Sequence, residues 1–215
     1  MLSIARSELI LGGQKSGKSR RAELLARAWL AQSPAHRAVL IATGQAWDAE
    51  MRQRIERHQR ERAERVPGML TVEEPRDLAA TLARVSSPQA LVVVDCLTLW
   101  LTHWLMPAAP DPLPEPAGEG RGEGRQLRSR LVDSYEKQAA TTDWQAQAAL
   151  FLTAIQQAAG PVVLVGNEIG LGVIPLGREV RAFVDALGVL NQQMAAACER
   201  VTLMAAGLPL ILKTP

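Results

Sequence analysis

The sequence predicts an α/β fold: a mostly parallel sheet flanked by helices on both faces, with a strand pair at its edge near the C-terminus. Short runs rich in Val, Ile and Leu recur along the chain without the polar alternation of a half-exposed strand, which marks strands buried on both faces. Segments of helical length separate these runs, and strand–helix–strand alternation builds parallel sheets. A chain of 215 residues, 47% of them hydrophobic, can fill one large core, and residues 1–215 are expected to form a single domain.

In order, Leu9–Leu11 reads as the first strand and Ser19–Ala31 as the helix after it. Ala38–Ala42 is the next strand, and Asp48–Arg65 and Arg76–Val85 are helices. Leu91–Val94 is a third strand, followed by an amphipathic, Trp-rich helix over Leu97–Leu105. Residues 107–125 stand apart: five prolines and four alternating glycines between Pro107 and Gly124 cannot bury much, so the stretch reads as a flexible surface loop. Gln126–Ala159 is helical with a break near Thr141-Thr142-Asp143, where a hydroxyl or carboxylate caps a new helix, and Gly160-Pro161 ends it. Val162–Val165 is a strand and Arg178–Cys198 a helix; Val201–Ala205 and Leu208–Leu212, separated by Gly207, form the edge pair.

Composition narrows the function. The 24 basic against 22 acidic residues leave a net charge of +2, too little to draw the chain to nucleic acid or an anionic membrane. Aromatics at 4% make a poor base-stacking surface. Cys96 and Cys198 lie far apart, which excludes a disulfide scaffold or a Cys-rich zinc module and suits a reducing compartment. No apolar run reaches the 18 or so residues of a membrane span, and the N-terminus lacks the long apolar stretch of a signal peptide. A cytoplasmic protein is expected.

Gly12-Gly13-Gln14-Lys15-Ser16-Gly17-Lys18-Ser19 fits the G-x-x-x-x-G-K-[ST] pattern, between a predicted strand and a predicted helix. Glycines let backbone N–H groups curl around a polyphosphate, and the helix N-terminus adds partial positive charge. Lys18 can reach the β- and γ-phosphates, and the Ser19 hydroxyl can ligate Mg²⁺. The fold is therefore expected to be P-loop NTPase-like. Such a loop needs an acidic residue at the end of a neighbouring strand, and Asp95, closing the run Leu91–Val94, is the candidate, directly or through water.

The helix over Asp48–Arg65 carries six arginines. Glu50, Glu56 and Glu61 precede Arg54, Arg60 and Arg65 by four residues, the favourable order for ion pairs along a solvated face. Met51, Ile55 and His58 fall at i, i+4 and i+7, which puts the imidazole on the apolar stripe. Spacing alone leaves two roles open for His58: a hydrogen-bonded core histidine, or a nucleophile suited to attack phosphorus. His36 and His103 receive no role.

Several further stretches complete the pattern. They are Ile41-Ala-Thr-Gly-Gln45, Asp48 to His58, Thr71-Val-Glu-Glu-Pro75, Val94 to Thr102, Asn167-Glu-Ile-Gly-Leu-Gly-Val-Ile-Pro175, and Phe183–Gln192. With the phosphate loop, they resemble the bifunctional adenosylcobinamide kinase / adenosylcobinamide-phosphate guanylyltransferase family of cobalamin biosynthesis, in family order over nearly the whole chain. Arg-Ile-x-x-His and Asn-Glu-x-Gly-x-Gly-x-x-Pro are the most specific pieces.

The resemblance implies two reactions. ATP or GTP phosphorylates the aminopropanol hydroxyl of adenosylcobinamide, and GTP then donates GMP to adenosylcobinamide phosphate, giving adenosyl-GDP-cobinamide and pyrophosphate. It makes His58 the site of a covalent guanylyl-histidine, with Lys18 as its catalytic companion. It places further nucleotide contacts at Ala42, Thr43 and Gly44, at Gln59, Arg60, Glu61 and Arg62, at Glu73, chosen over Glu74 for the Thr-x-Glu spacing, and at Asp95. It also implies a homo-oligomer, a trimer. The chain departs from the family at Gln14-Lys15 (commonly Ala-Arg), Gly44 (Ser or Ala) and Gly166 (Thr or Ser), none of which removes a group the chemistry needs. Two competing functions are a plain small-molecule kinase, which forms no covalent nucleotide, and a nucleic-acid-associated ATPase, which would bind polynucleotide in a salt-dependent way.

Overall fold

The computed structural model describes residues 3–106 and 144–215. Its strands are β1 (Ser7–Gly12), β2 (Arg37–Ala42), β3 (Leu70–Glu73), β4 (Ala90–Asp95), β5 (Val162–Val165), β6 (Arg200–Ala205) and β7 (Leu208–Lys213). The helices are α1 (Lys18–Leu30), α2 (Ala49–Arg65), α3 (Leu78–Val85), α4 (Leu97–Leu105), α5 (described over 144–157) and α6 (Arg178–Ala197). The expected loop at 107–125 and the helical stretch 126–143 lie outside the described residues.

One seven-stranded sheet runs in the order β3-β2-β4-β5-β1-β6-β7, parallel except for the β6–β7 pair. The inner strands alternate between two cores. Leu9, Leu11, Val92, Val94, Val162 and Leu164 face α3, α4, α5 and α6, while Ile10, Leu91, Val93, Val163 and Val165 face α1. Both faces are covered, so these strands carry apolar side chains at successive positions.

The helices form for matching reasons. Trp144, Ala148, Phe151 and Ile155 fall at i, i+4, i+7 and i+11 and are buried, giving α5 a single apolar stripe. On the opposite face, α1 buries Ala22, Leu25 and Ala26. Asp48 caps α2, its carboxylate accepting from the Met51 amide at 2.7 Å, and Asp77 caps α3 through the Ala80 amide at 3.1 Å.

The sequence reading contained no strand over Leu70–Glu73. This edge strand is exposed at three of its four positions and has no apolar run to reveal it. The available signal was weaker: β-branched Thr71 and Val72 between Gly68 and Pro75. The strand order brings a second correction. β5 lies between β1 and β4, so Asp95 stands two strands from the phosphate loop rather than on the neighbouring one.

Candidate nucleotide site

The carboxyl ends of the parallel strands converge where β1 passes into α1. Gly12 ends β1 at φ +152°, and a Cβ there would meet the Met204 carbonyl at 2.5 Å and Ser16 Oγ at 2.6 Å, so only glycine fits. Gly17 opens α1 at φ +99° with no side-chain cap, leaving the first-turn amides free to face an anion. The loop is braced from two sides: Gly207 N donates to the Ser16 carbonyl at 3.1 Å, and Glu168 N to the Gly12 carbonyl at 3.1 Å.

The second brace explains the Asn167-Glu168 motif, for which sequence reasoning supplied no role. Asn167 N donates to Thr98 Oγ1 at 2.9 Å, and the buried Asn191 amide donates to the Asn167 carbonyl at 3.1 Å and to Glu168 Oε2 at 3.3 Å. These contacts tie α4, α6 and the segment after β5 to the phosphate loop.

Lys18 is buried, and its ammonium donates to the Gly13 carbonyl at 2.6 Å. Burial lowers its pKa; the negative charge of Asp95 opposes the shift, and Arg54 adds to it. Ser16 Oγ is buried beneath the loop without a partner. Burial also pushes the Cys96 thiol up to about 12, so it is neutral at physiological pH.

Asp95 ends β4 directly across from Ala42 on β2, and Ala42 stands across from Glu73 on β3. Register partners in parallel strands share a face. The parity of Leu91 and Val93 places this row of three on the α1 side, with Lys18. Thr43 follows the row and is fixed from three directions. Its hydroxyl donates to the Cys96 carbonyl and accepts from the Cys96 amide, both at 2.8 Å, while His103 Nε2 donates to its carbonyl at 2.8 Å. His103 is therefore a buried positioning residue for the 42–44 segment. Gly44 has a packing reason too: a Cβ would meet Leu99 Cδ1 at 3.3 Å and Ile55 Cδ1 at 4.0 Å. Of the two adjacent acids, Glu74 is committed to the turn that leads into α3, accepting from the Arg76 and Asp77 amides at 2.9 Å each, whereas Glu73 is exposed.

α2 buries no residue fully. Its C-terminal end is anchored by Arg65, which bonds Glu23 of α1 at 2.5 Å and Glu61 at 2.6 Å, and by the buried Val66. Of the three ion pairs expected along it, only Glu61–Arg65 forms; Glu50–Arg54 and Glu56–Arg60 do not. His58 is half-buried and makes no side-chain hydrogen bond, which sets aside the hydrogen-bonded core histidine. Arg62 donates to Thr71 Oγ1 at 3.3 Å, while Gln59 and Arg60 are exposed. The helix meets the phosphate loop through Arg54, whose guanidinium faces the Gln14 side-chain amide at 2.8 and 3.0 Å; the amide is assigned with its oxygen toward the guanidinium, the orientation in which it can accept.

The residues present fit Mg²⁺. The Ser19 hydroxyl and the Asp95 carboxylate have no hydrogen-bond partner, and both are hard oxygen donors. Among the described residues no three His, Cys, Asp or Glu side chains cluster, so an ion here would complete its shell with phosphate and water, as Mg²⁺ does at nucleotide sites.

A braced glycine loop, a buried lysine under it and a carboxylate at the strand ends facing the same side define a P-loop nucleotide-binding α/β protein. The match to known proteins is more specific. The family model for cobinamide kinase / cobinamide phosphate guanyltransferase covers residues 8–212, and the chain belongs to that family. It is 42% identical to the bifunctional adenosylcobalamin biosynthesis protein CobP of Pseudomonas aeruginosa, over 96% of both chains. It is 32% identical to the protein CobU of Escherichia coli, covering 95% of this chain and 98% of that one, and 30% identical to CobU of Salmonella typhimurium with the same coverage. Both relatives also carry the bifunctional adenosylcobalamin biosynthesis name. The chain is thus an enzyme, a transferase of cobalamin biosynthesis. Among the described residues no helix is long and apolar enough to cross a membrane.

Proposed function

We propose that one phosphate loop serves two reactions: phosphorylation of adenosylcobinamide by ATP or GTP, and transfer of GMP from GTP to the product through a guanylyl-histidine on His58. The observation that carries this reading is the position of His58. It lies half-buried without a hydrogen-bond partner, one turn beyond the arginine through which α2 touches the phosphate loop.

In the first reaction the aminopropanol hydroxyl attacks the γ-phosphorus, and the electron pair of the broken P–O bond leaves with the nucleoside diphosphate. In the second, a neutral imidazole nitrogen of His58 attacks the α-phosphorus of GTP, an N–P bond forms, and pyrophosphate departs. A phosphate oxygen of adenosylcobinamide phosphate then attacks the phosphoramidate, forming the P–O–P link and freeing the imidazole. Lys18 and the loop amides offset the charge that grows on each leaving group. Mg²⁺ held by Ser19 and Asp95 supplies further neutralisation when bound. Ala42, Thr43, Gly44, Glu73 and Asp95, along the strand ends, and Gln59, Arg60, Glu61 and Arg62, after the histidine, complete the nucleotide contacts.

We further read the protein as a cytoplasmic homo-oligomer, a trimer. Strand β7 supports an interface: it closes the sheet at an open edge and exposes Leu208, Leu210, Ile211 and Leu212.

Separate assays of the half-reactions test the division of roles. Lys18→Ala lowers both phosphorylation and guanylyl transfer by roughly 10²-fold or more. His58→Ala abolishes guanylyl transfer and largely spares phosphorylation. Equal loss of both activities in a folded His58→Ala protein would contradict the proposal.

A further inference from the structure

Six arginines line α2, and the sequence spacing assigns them to a solvated, ion-paired face. The structure separates one from the rest. Arg54 shares the half-buried side of the helix with Met51, Ile55 and His58, whereas Arg52, Arg57 and Arg60 are exposed. Its expected partner Glu50 does not pair with it, and no other carboxylate does. The guanidinium instead faces the neutral amide of Gln14 in the phosphate loop, at 2.8 and 3.0 Å. Its charge is felt at Lys18, where it opposes the protonated ammonium.

This is an arrangement in need of an anion. Two cations, both partly or wholly withdrawn from water, flank one loop, with the carboxylate of Asp95 as the main opposing charge acting on Lys18. Each cation rests on a weak, neutral acceptor: Lys18 on the Gly13 carbonyl, Arg54 on the Gln14 amide. A guanidinium offers a planar fork that matches phosphate oxygens in a two-point contact, and it remains charged in either reaction. We propose that Arg54 is a phosphate-binding residue of this site: the guanidinium exchanges the Gln14 amide for oxygens of the bound nucleoside triphosphate. The helix that carries the candidate nucleophile then also carries a cation for the same phosphates, since residues four apart lie one turn apart on one side. The inference rests on the reading of the loop as a nucleoside triphosphate site and deepens it.

The test is the ratio of GTP to GMP affinity, measured by calorimetry on wild type, Arg54→Gln and Arg52→Gln. A loss of folded or competent protein weakens both ligands by the same factor and leaves the ratio alone, so a merely structural role does not move it. A charge-assisted contact to the added phosphates does. The expected result is a ratio lowered about tenfold or more in Arg54→Gln. It is unchanged in Arg52→Gln, which removes an exposed arginine from the same helix. A wild-type ratio in Arg54→Gln, whatever happens to its stability, would overturn the assignment of Arg54 and leave the phosphate-loop reading intact. A wild-type protein that binds GTP no more tightly than GMP would instead bring down the triphosphate site, and the role of Arg54 with it.

Discussion

The ammonium of Lys18 donates to the carbonyl of Gly13, 2.6 Å away within its own loop. A buried positive charge held by a single neutral acceptor is poorly compensated, and its lowered pKa reports this. The free loop thus keeps its lysine in place at a cost that an incoming phosphate relieves.

That cost has a pH signature. Because the folded-state pKa of Lys18 lies below the ordinary value of 10.5, the unfolded chain binds more protons between the two values. The penalty is fully present below the folded pKa and is lifted as pH rises through it. Lys18→Met has no such penalty. Denaturation from pH 7 to 10.5 will therefore show the wild type gaining stability relative to Lys18→Met as pH climbs, and a relative loss would contradict the assignment.

Glu73 and Glu74 should separate cleanly. Burial pushes the Glu74 pKa up, but the amides of Arg76 and Asp77 and the Thr81 hydroxyl outweigh it, so the net shift is downward. Its stabilising effect is thus present above the ordinary carboxylate range and lost as pH falls through the folded pKa. Glu74→Ala is expected to cost about 1–3 kcal/mol near neutral pH, as loss of hydrogen bonds to a charged group does, with a smaller cost in acid. Glu73→Ala leaves thermal stability unchanged and weakens GTP binding. Calorimetry beside thermal melts distinguishes the two; the reverse pattern would place Glu74 in the site.

A buried charge cluster ties β1 to α1 and β6. Glu8 on β1 accepts from Arg21 Nε and Nη2 of α1 at 3.0 and 2.8 Å, from Thr202 at 2.8 Å and from Arg200 at 3.4 Å. Removing the carboxylate strands two nearly buried guanidinium groups. Glu8→Ala is expected to lose about 3–5 kcal/mol, with a fall in Tm on the order of 10 °C. A Tm within 2 °C of wild type, on the order of the shift from 1 kcal/mol or less, would mean the cluster is energetically idle.

How far the sequence reaches depends on where each residue sits. Val162–Val165 was legible to the residue, because a strand covered on both faces must be apolar throughout. The loop Gly12–Ser19 was legible because its glycine at φ +152° and its lysine are demanded by local geometry. β3 was not, since an exposed edge strand needs no apolar run. The two-strand separation of Asp95 from β1 follows from strand order, a long-range property that no local pattern encodes. Arg54 was hidden for a related reason: its spacing from Glu50 reads as an ion pair, and only the packing of α2 against the phosphate loop shows that the pair is not made. His58 stood on the border, its spacing compatible with a core residue, until the half-buried helix face left its imidazole unpartnered.

The most direct test of the central claim is the intact mass of the protein after incubation with GTP and Mg²⁺ in the absence of corrinoid, for wild type and His58→Ala. The account predicts an acid-labile adduct of one GMP on the wild type and none on the variant. A wild-type protein that binds GTP under these conditions and gains no mass would contradict the guanylyl-histidine and leave a P-loop kinase in which His58 has no covalent role.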